Sequence, residues 1–176
     1  MIKLNFDGAS KRNPGKARYG GIFKNLEGTT LLLYFGSIGW DTNNSAELEG
    51  LWQGLCLAHQ HNFHPVIIEG DSQILINMAT QIQIGTSASK VATSWRLAAH
   101  LELIEQWLKN RRAITFNHVK REGNKVADLL TNIGVDYDKV LQSGSLTIPN
   151  DSTQLQECTD LVHNEAKLSN AGVRRD

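Results

Sequence analysis

The chain has 176 residues, 40% hydrophobic and 20% charged, and its 18 Lys+Arg balance 18 Asp+Glu, which excludes a strongly basic chain. The length suffices for one domain with a sizeable core, no apolar run approaches the ~20 residues needed to span a bilayer, and the opening MIKLNFDGAS has no signal-peptide apolar region. Cys56 and Cys158 match no redox or metal-binding spacing, so a reducing, intracellular setting is the simpler expectation.

Ile2, Leu4 and Phe6 alternate with Lys3, Asn5 and Asp7, the period of a half-buried strand. Asn13-Pro14-Gly15-Lys16 is a turn. A second strand is expected over 18–25 and a third over 30–37, joined by the hairpin Leu26-Glu27-Gly28-Thr29. Such short connections make antiparallel neighbours. Gly20-Gly21 inside the second strand predicts a close backbone approach or a bulge. Leu48, Leu51, Trp52 and Leu55 then recur at helical spacing over 44–59. After Pro65, Val66-Ile67-Ile68-Glu69 suits a buried parallel strand. A helix over 72–83, a Gly/Ser/Thr connection over 85–89 and a helix over 94–110 follow, the last striped by Leu97, Leu101, Ile104 and Leu108. Residues 114–119 form a fifth strand, and 124–133 a final helix with Val126, Leu129, Leu130 and Ile133 on its apolar face.

The order βββ-α-β-α-α-β-α predicts one α/β domain over 1–138. Its sheet is mixed and five-stranded, three antiparallel then two parallel strands, with helices on both faces. Beyond Asp138 the pattern decays. Residues 139–176 read as a C-terminal extension, a loop followed by a weak helix over 153–168, or disorder.

Four acids stand where the chain changes direction: Asp7, Glu47, Asp71 and Asp128. Each has an ordinary reading alone. Asp7-Gly8 is a common turn pair, Glu47 could close a capping box with Asn44, Asp71 could cap a helix, and Asp128 could be a plain exposed helix residue. Their arrangement says more. Asp7 and Asp71 end neighbouring parallel strands, where ligands gather in such sheets. Glu47 lies in the first turns of the helix between them, and Asp128 comes from the helix after the last strand. Carboxylates a few Å apart repel and take up protons unless cations intervene, and Mg²⁺ or Mn²⁺, hard ions with oxygen ligands, are the natural partners. That is the core of a metal-dependent phosphodiester hydrolase.

Residues 1–138 carry 14 Lys+Arg against 13 Asp+Glu, and four of those 13 are the acids above. Lys11, Arg12, Lys16 and Arg18 bracket the first turn, and Arg111, Arg112, Lys120, Arg121 and Lys125 crowd the last motif. Basic residues around an acidic pocket suit a polyanion gripped beside a metal centre; the alternative is a solubilising surface. His59 and His61 point apart at a helix end, so a zinc site with His64 is not expected. Trp52, Trp95 and Trp107 fall near apolar stripes and are expected in the core. Trp40 is expected exposed and able to stack on nucleic acid. His118 on its strand is expected to be packed or paired.

Six motifs then carry a resemblance: Asn5-Phe6-Asp7-Gly8-Ala9-Ser10, Asn13-Pro14-Gly15, Tyr19-Gly20-Gly21-Ile22, Thr42-Asn43-Asn44-Ser45-Ala46-Glu47, Gly70-Asp71-Ser72-Gln73, and the run from His118 through Arg121-Glu122-Gly123-Asn124 to Asp128. In this order, over 2–133, the chain resembles the type 1 ribonuclease H family, most closely its reverse-transcriptase- and retrotransposon-associated members in plants. The resemblance implies endonucleolytic cleavage of the RNA strand of RNA–DNA hybrids with two divalent ions, Mg²⁺ or in its place Mn²⁺, leaving 5′-phosphate and 3′-hydroxyl ends. Asp7 would bridge both ions, Asp128 would hold the one that activates water, and Glu47 and Asp71 would complete the shell beside the leaving oxygen. Asn13, Asn43, Asn44 and Gln73 resemble positions that touch the minor groove and 2′-hydroxyls, and Thr42 a contact to a DNA-strand phosphate. No small-molecule cofactor and no membrane are implied, and the chain would act as a monomer or as a domain of a larger reverse-transcriptase polyprotein. The family's mobile histidine loop is absent. Arg121 and Glu122 stand there instead, and Arg121 becomes the candidate contact to the scissile phosphate. The basic helical protrusion of some relatives is missing too. The alternative is a non-catalytic or weakly active module that binds hybrid or double-stranded RNA.

Overall fold

The computed structural model describes residues 1–109, 113–133 and 139–142. In chain order they form β1 (Ile2–Ser10), β2 (Gly15–Asn25), β3 (Thr30–Asp41), α1 (Asn43–Gln60), β4 (Val66–Gly70), α2 (Gln73–Gln83), α3 (Ala88–Val91), α4 (Trp95–Leu108), β5 (Ile114–His118), α5 (Lys125–Ile133) and β6 (Lys139–Gln142). The sheet order is β5-β4-β1-β2-β3-β6. β1, β2 and β3 pair antiparallel, while β4 lies parallel to β1 and β5 parallel to β4. The five-stranded core has the expected arrangement. β6 adds a sixth, short strand antiparallel to β3 over Leu32–Phe35, giving partners to an edge that would otherwise leave backbone groups unpaired.

Period-two alternation divides the sheet between two cores. Leu4 and Phe6 of β1, Tyr19 and Phe23 of β2, and Leu32 and Tyr34 of β3 join Leu48, Leu51 and Leu55 of α1, and residues of α2 and α4, in the larger one. Ile22, Leu33 and Phe35 of the other face pack on Val126 and Leu130 of α5. Tyr34 takes a polar atom into the core, and its hydroxyl donates to the Gly50 carbonyl at 2.7 Å. Among the described residues no helix is long and apolar enough to cross a membrane.

Several elements differ from expectation. β1 continues to Ser10, β2 begins at Gly15 and β3 reaches Asp41, because pairing runs on through Ser10↔Ala17 and Gly15↔Asp41 where apolar alternation has ended. Asp7-Gly8 is therefore strand, not turn. β1 is covered on both faces, and Asn5 and Asp7 are each only 7% exposed. A Cβ on Gly20 would strike the Leu130–Thr131 stretch of α5, so the glycine pair marks a close approach; the β2–β3 irregularities lie elsewhere, at Ala17/Arg18 and Phe23/Lys24. A single turn, α3, occupies part of the expected Gly/Ser/Thr connection. Trp95 is not core: it opens α4 at 77% exposure, with the Arg96 guanidinium 4.6 Å from its ring centre. Trp107 is buried as expected, and Trp52 packs against the core half-buried. Arg111, Arg112, the end of the helix expected to reach 110 and the elements expected over 143–176 lie outside the described residues.

Candidate metal centre and nucleic-acid face

Two close approaches and one strand register assemble the site. Gly8 faces α1 so closely that a Cβ there would collide with the Ala46–Glu47 backbone, and a Cβ on Gly50 would come within 2.7 Å of the Asp7 carbonyl oxygen. Without side chains at either position α1 rests directly on β1, and Glu47 arrives beside Asp7. On the other side, Asn5 of β1 is in parallel register with Glu69 of β4, so Asp7 and Asp71, two residues further on, come together past the end of the shorter strand. Asp7, Glu47 and Asp71 each offer a carboxylate oxygen, all within 4.8 Å of one another.

Asp128 stands outside that trio, near enough for its charge to raise the Asp7 pKa. Its Oδ1 accepts from Arg121 Nη2 at 3.4 Å across the solvent-exposed edge. The start of α5 is tied down by Asn124, which is 1% exposed. The Asn124 amide donates to the Phe6 carbonyl at 2.9 Å, and its own carbonyl accepts from the Asp128 N–H at 3.1 Å. His118 Nε2 lies 3.1 Å from the Asp71 carbonyl oxygen, a paired histidine as expected. The ordinary readings of the acids lose ground. Thr42, not Asn44, caps α1, so Glu47 closes no capping box. Ser72, not Asp71, is the cap residue of α2. Among the described residues the trio is the one group suited to hold a metal ion, and the histidines at 59, 61 and 64 are not part of it.

The electrostatics are those of crowded, buried anions. Burial, and then the Asp71 carboxylate, push the Asp7 pKa up to about 7. Burial, and then the Asp7 and Asp71 charges, push Glu47 up to about 8 against a lowering hydrogen bond from Ser72. Glu47 Oε2 is buried with no hydrogen-bond partner, a costly condition for a carboxylate oxygen. A divalent cation held by the trio would satisfy that oxygen and reverse both shifts; the donor set, three carboxylates, fits a hard ion.

This linkage predicts how stability varies with pH. Folded-state pKa values raised above the unfolded ones mean that the folded protein binds more protons between about pH 4 and pH 8, so stability falls as pH rises through that window. In chelator, the melting temperature is expected to drop between pH 5 and pH 8. Excess Mg²⁺ should restore it at pH 8 and do little at pH 5, where protons occupy the site. The His100–Glu49 pair, Nε2 to Oε2 2.8 Å, contributes a slope of the same sign, since the Glu49 hydrogen bond raises the His100 pKa. That contribution does not respond to Mg²⁺. Thermal melts across pH, with and without the ion, separate the two.

The expected substrate-binding residues gather mostly at the start of α1. Asn13 Oδ1 accepts from Asn43 N at 3.1 Å, and Asn43 Oδ1 accepts from Ser10 N at 2.6 Å. Thr42 Oγ1 accepts from Ser45 N at 3.2 Å. These bonds fasten the β1–β2 turn to α1 through the carbonyl halves of both amides, and an amide NH₂ can still donate when its oxygen is engaged. Asn44 is exposed beside them. Gln73, exposed at the start of α2, donates to Asn77 Oδ1 at 2.8 Å. Gly8, Gly50, Asn124 and Ser72 were not singled out from the sequence as site residues. Gly8, Ser72 and Asn124 lie inside the quoted motifs without an assigned role, and Gly50 is one of two glycines, with Gly54, inside the α1 pattern, where Gly costs about 1 kcal/mol relative to Ala and persists for close packing.

The reverse transcriptase-like family matches residues 5–134. An Arabidopsis thaliana protein named for ribonuclease H is 30% identical over 90% of this chain and 24% of its own length. Ribonuclease HI of Halobacterium salinarum is 30% identical over 77% of this chain and 64% of its own length. The chain thus spans less than two thirds of each of these curated relatives. Among solved structures, a ribonuclease H1 isolated from compost, crystallised in complex with RNA/DNA hybrid, is 26% identical with a TM-score of 0.57, covering 77% of this chain and 96% of that one.

Proposed function

The chain belongs to the reverse transcriptase-like family of type 1 ribonuclease H domains, and from that premise we propose that it hydrolyses the RNA strand of RNA–DNA hybrids at a divalent-metal centre built on Asp7, Glu47, Asp71 and Asp128. The observation that carries the reading is the cluster of three carboxylates within 4.8 Å whose buried Glu47 Oε2 has no partner. The relative crystallised with a hybrid supports the choice of substrate.

Asp7, Glu47 and Asp71 would hold one Mg²⁺, and Asp128 would share a second with Asp7. When bound, such ions polarise the phosphoryl group and lower the pKa of the attacking water, leaving 5′-phosphate and 3′-hydroxyl ends. The chain's own residues do the rest. Asn13, Asn43 and Asn44 donate toward the minor groove and the 2′-hydroxyls that distinguish RNA from DNA. Thr42, at the first turn of α1, faces a phosphate of the DNA strand. Arg121, which faces Asp128 at 3.4 Å, would grip the scissile or product phosphate. Arg121→Ala is expected to lower turnover or hybrid affinity about tenfold; unchanged values of both in steady-state kinetics would remove the residue from the site.

The test uses labelled RNA–DNA hybrid, RNA duplex and DNA duplex with Mg²⁺, wild type against Asp71→Asn. RNA-strand cleavage confined to hybrid, and lost in the variant, is expected; cleavage of DNA duplex alone would overturn the reading. Hybrid binding without cleavage would shift it to a binding module, the alternative that the engagement of Asp128 by Arg121 favours.

A further inference from the structure

Beyond the acidic cluster, at the open end of the β1–β2 turn, lies a pocket of about 240 Å³ lined by Lys11, Arg12, Gly15, Lys16 and Trp40. The strands fix its composition. Lys16 of β2 pairs directly with Trp40 of β3, and the turn folds back through the Lys11 N–H, which donates to the Lys16 carbonyl at 3.0 Å. Among the described residues none of the three cations forms an ion pair. The nearby acid is engaged elsewhere: Asp41 Oδ1 accepts from Thr42 N at 2.7 Å and faces Arg96 at 3.5 Å. The pocket is therefore a concentrated positive potential with no internal counter-charge.

Trp40 is 65% exposed. Of the two largely exposed tryptophans, Trp95 carries the Arg96 guanidinium on its face, whereas Trp40 has no ring partner among the described residues. A free indole face beside uncompensated cations is the pairing that binds single-stranded nucleic acid, the base stacking and the phosphate meeting the charge. The volume is below the ~300–1,000 Å³ of pockets for drug-sized ligands and suits one nucleotide rather than a duplex. Lys11 lies four residues along the chain from Asp7, roughly 13 Å at strand rise, and Asn13, in the same turn as the pocket, accepts from the N–H of Asn43, the first residue of α1.

Resting on the hydrolase reading above, we propose that this pocket holds an unpaired nucleotide of a single strand continuing beyond the hybrid, its base stacked on Trp40 and its phosphate among Lys11, Arg12 and Lys16. The enzyme then prefers hybrids that end in a single-stranded extension over blunt ones.

The experiment measures binding of the full chain, in chelator to prevent cleavage, to a labelled blunt hybrid and to the same hybrid carrying a DNA extension of about six nucleotides at either end. The readout is the ratio of the two affinities. In the wild type one extension should tighten binding about tenfold. Trp40→Ala, a change at an exposed position, should lower the ratio severalfold, and so should an extension of abasic sugar-phosphate, each leaving only the phosphate contribution. A Lys11→Ser/Arg12→Ser double variant should reduce it. A wild-type ratio near one at both ends, a ratio unaltered by Trp40→Ala, or a full gain from the abasic extension would each overturn the proposal. If wild type with Mg²⁺ cuts no hybrid while the Trp40-dependent gain persists, the hydrolase reading fails and the pocket stands.

Discussion

Asp7→Asn should lower hybrid cleavage on the order of a thousandfold or more, the penalty typical of groups that act only as a unit, and should make the metal-free protein more stable. The two effects have one cause. Asp7 is almost fully buried against two other carboxylates, and its pKa near 7 records the cost of keeping the charge there. An amide removes that cost and keeps the shape. At pH 8 in chelator the variant should melt about 5 °C higher, the equivalent of one to two kcal/mol in a chain of this size. In excess Mg²⁺ the order should reverse, because the wild type gains the binding energy of the ion and the variant has lost a ligand. A structural role for Asp7 predicts the opposite: lower stability under both conditions. Kinetics on labelled hybrid and paired thermal melts read both effects.

The second large effect involves a residue with no chemistry of its own. Gly8→Val should cost about 1–3 kcal/mol of stability and at least about a hundredfold in cleavage. The new Cβ would occupy the backbone of Ala46 and Glu47, and no rotamer change relieves a clash with backbone. α1 must move away from β1, and the fully buried Leu48, Leu51 and Leu55 lose contacts with the sheet. A domain stable by about 5–15 kcal/mol stays folded after such a loss, so reduced population cannot account for a hundredfold drop. Displacement of Glu47 can, since misplacement by about 1 Å costs that much. Urea melts set beside turnover at a temperature where the variant is folded distinguish the two. Retained activity would mean that the Glu47–Asp7 contact is not what α1 is placed to make.

How much of this was legible beforehand follows from the range of each interaction. Strand and helix positions came through because apolar period is local: Leu48, Leu51 and Leu55 announce α1, and Val66 and Ile68 announce β4. The ends of β1, β2 and β3 did not, because Ser10, Gly15 and Asp41 are held by ladder hydrogen bonds to polar partners, which leave no apolar signature. Trp95 was misplaced because it was assigned to the core for falling near the apolar stripe of Leu97, Leu101, Ile104 and Leu108, while its position as the first residue of α4 leaves it exposed. The convergence of Asp7, Glu47 and Asp71 was readable from topology once β4 was recognised as parallel. What the sequence withheld is how closely they converge. That depends on Gly8 and Gly50 removing side chains between helix and strand, a feature visible only across a contact distant in sequence. Asn124 was hidden likewise: an ordinary polar residue in a row, its amide engaged with a carbonyl 118 positions earlier.

Calorimetric titration of Mn²⁺ into the wild type and Asp7→Asn at pH 7.5 tests the central claim most directly, that the convergent carboxylates exist to bind divalent cations. Saturable uptake is expected in the wild type, with proton release from the groups whose pKa values lie near 7 and 8, and its loss is expected in the variant. No uptake in the wild type, or equal uptake without proton release in both proteins, would contradict it.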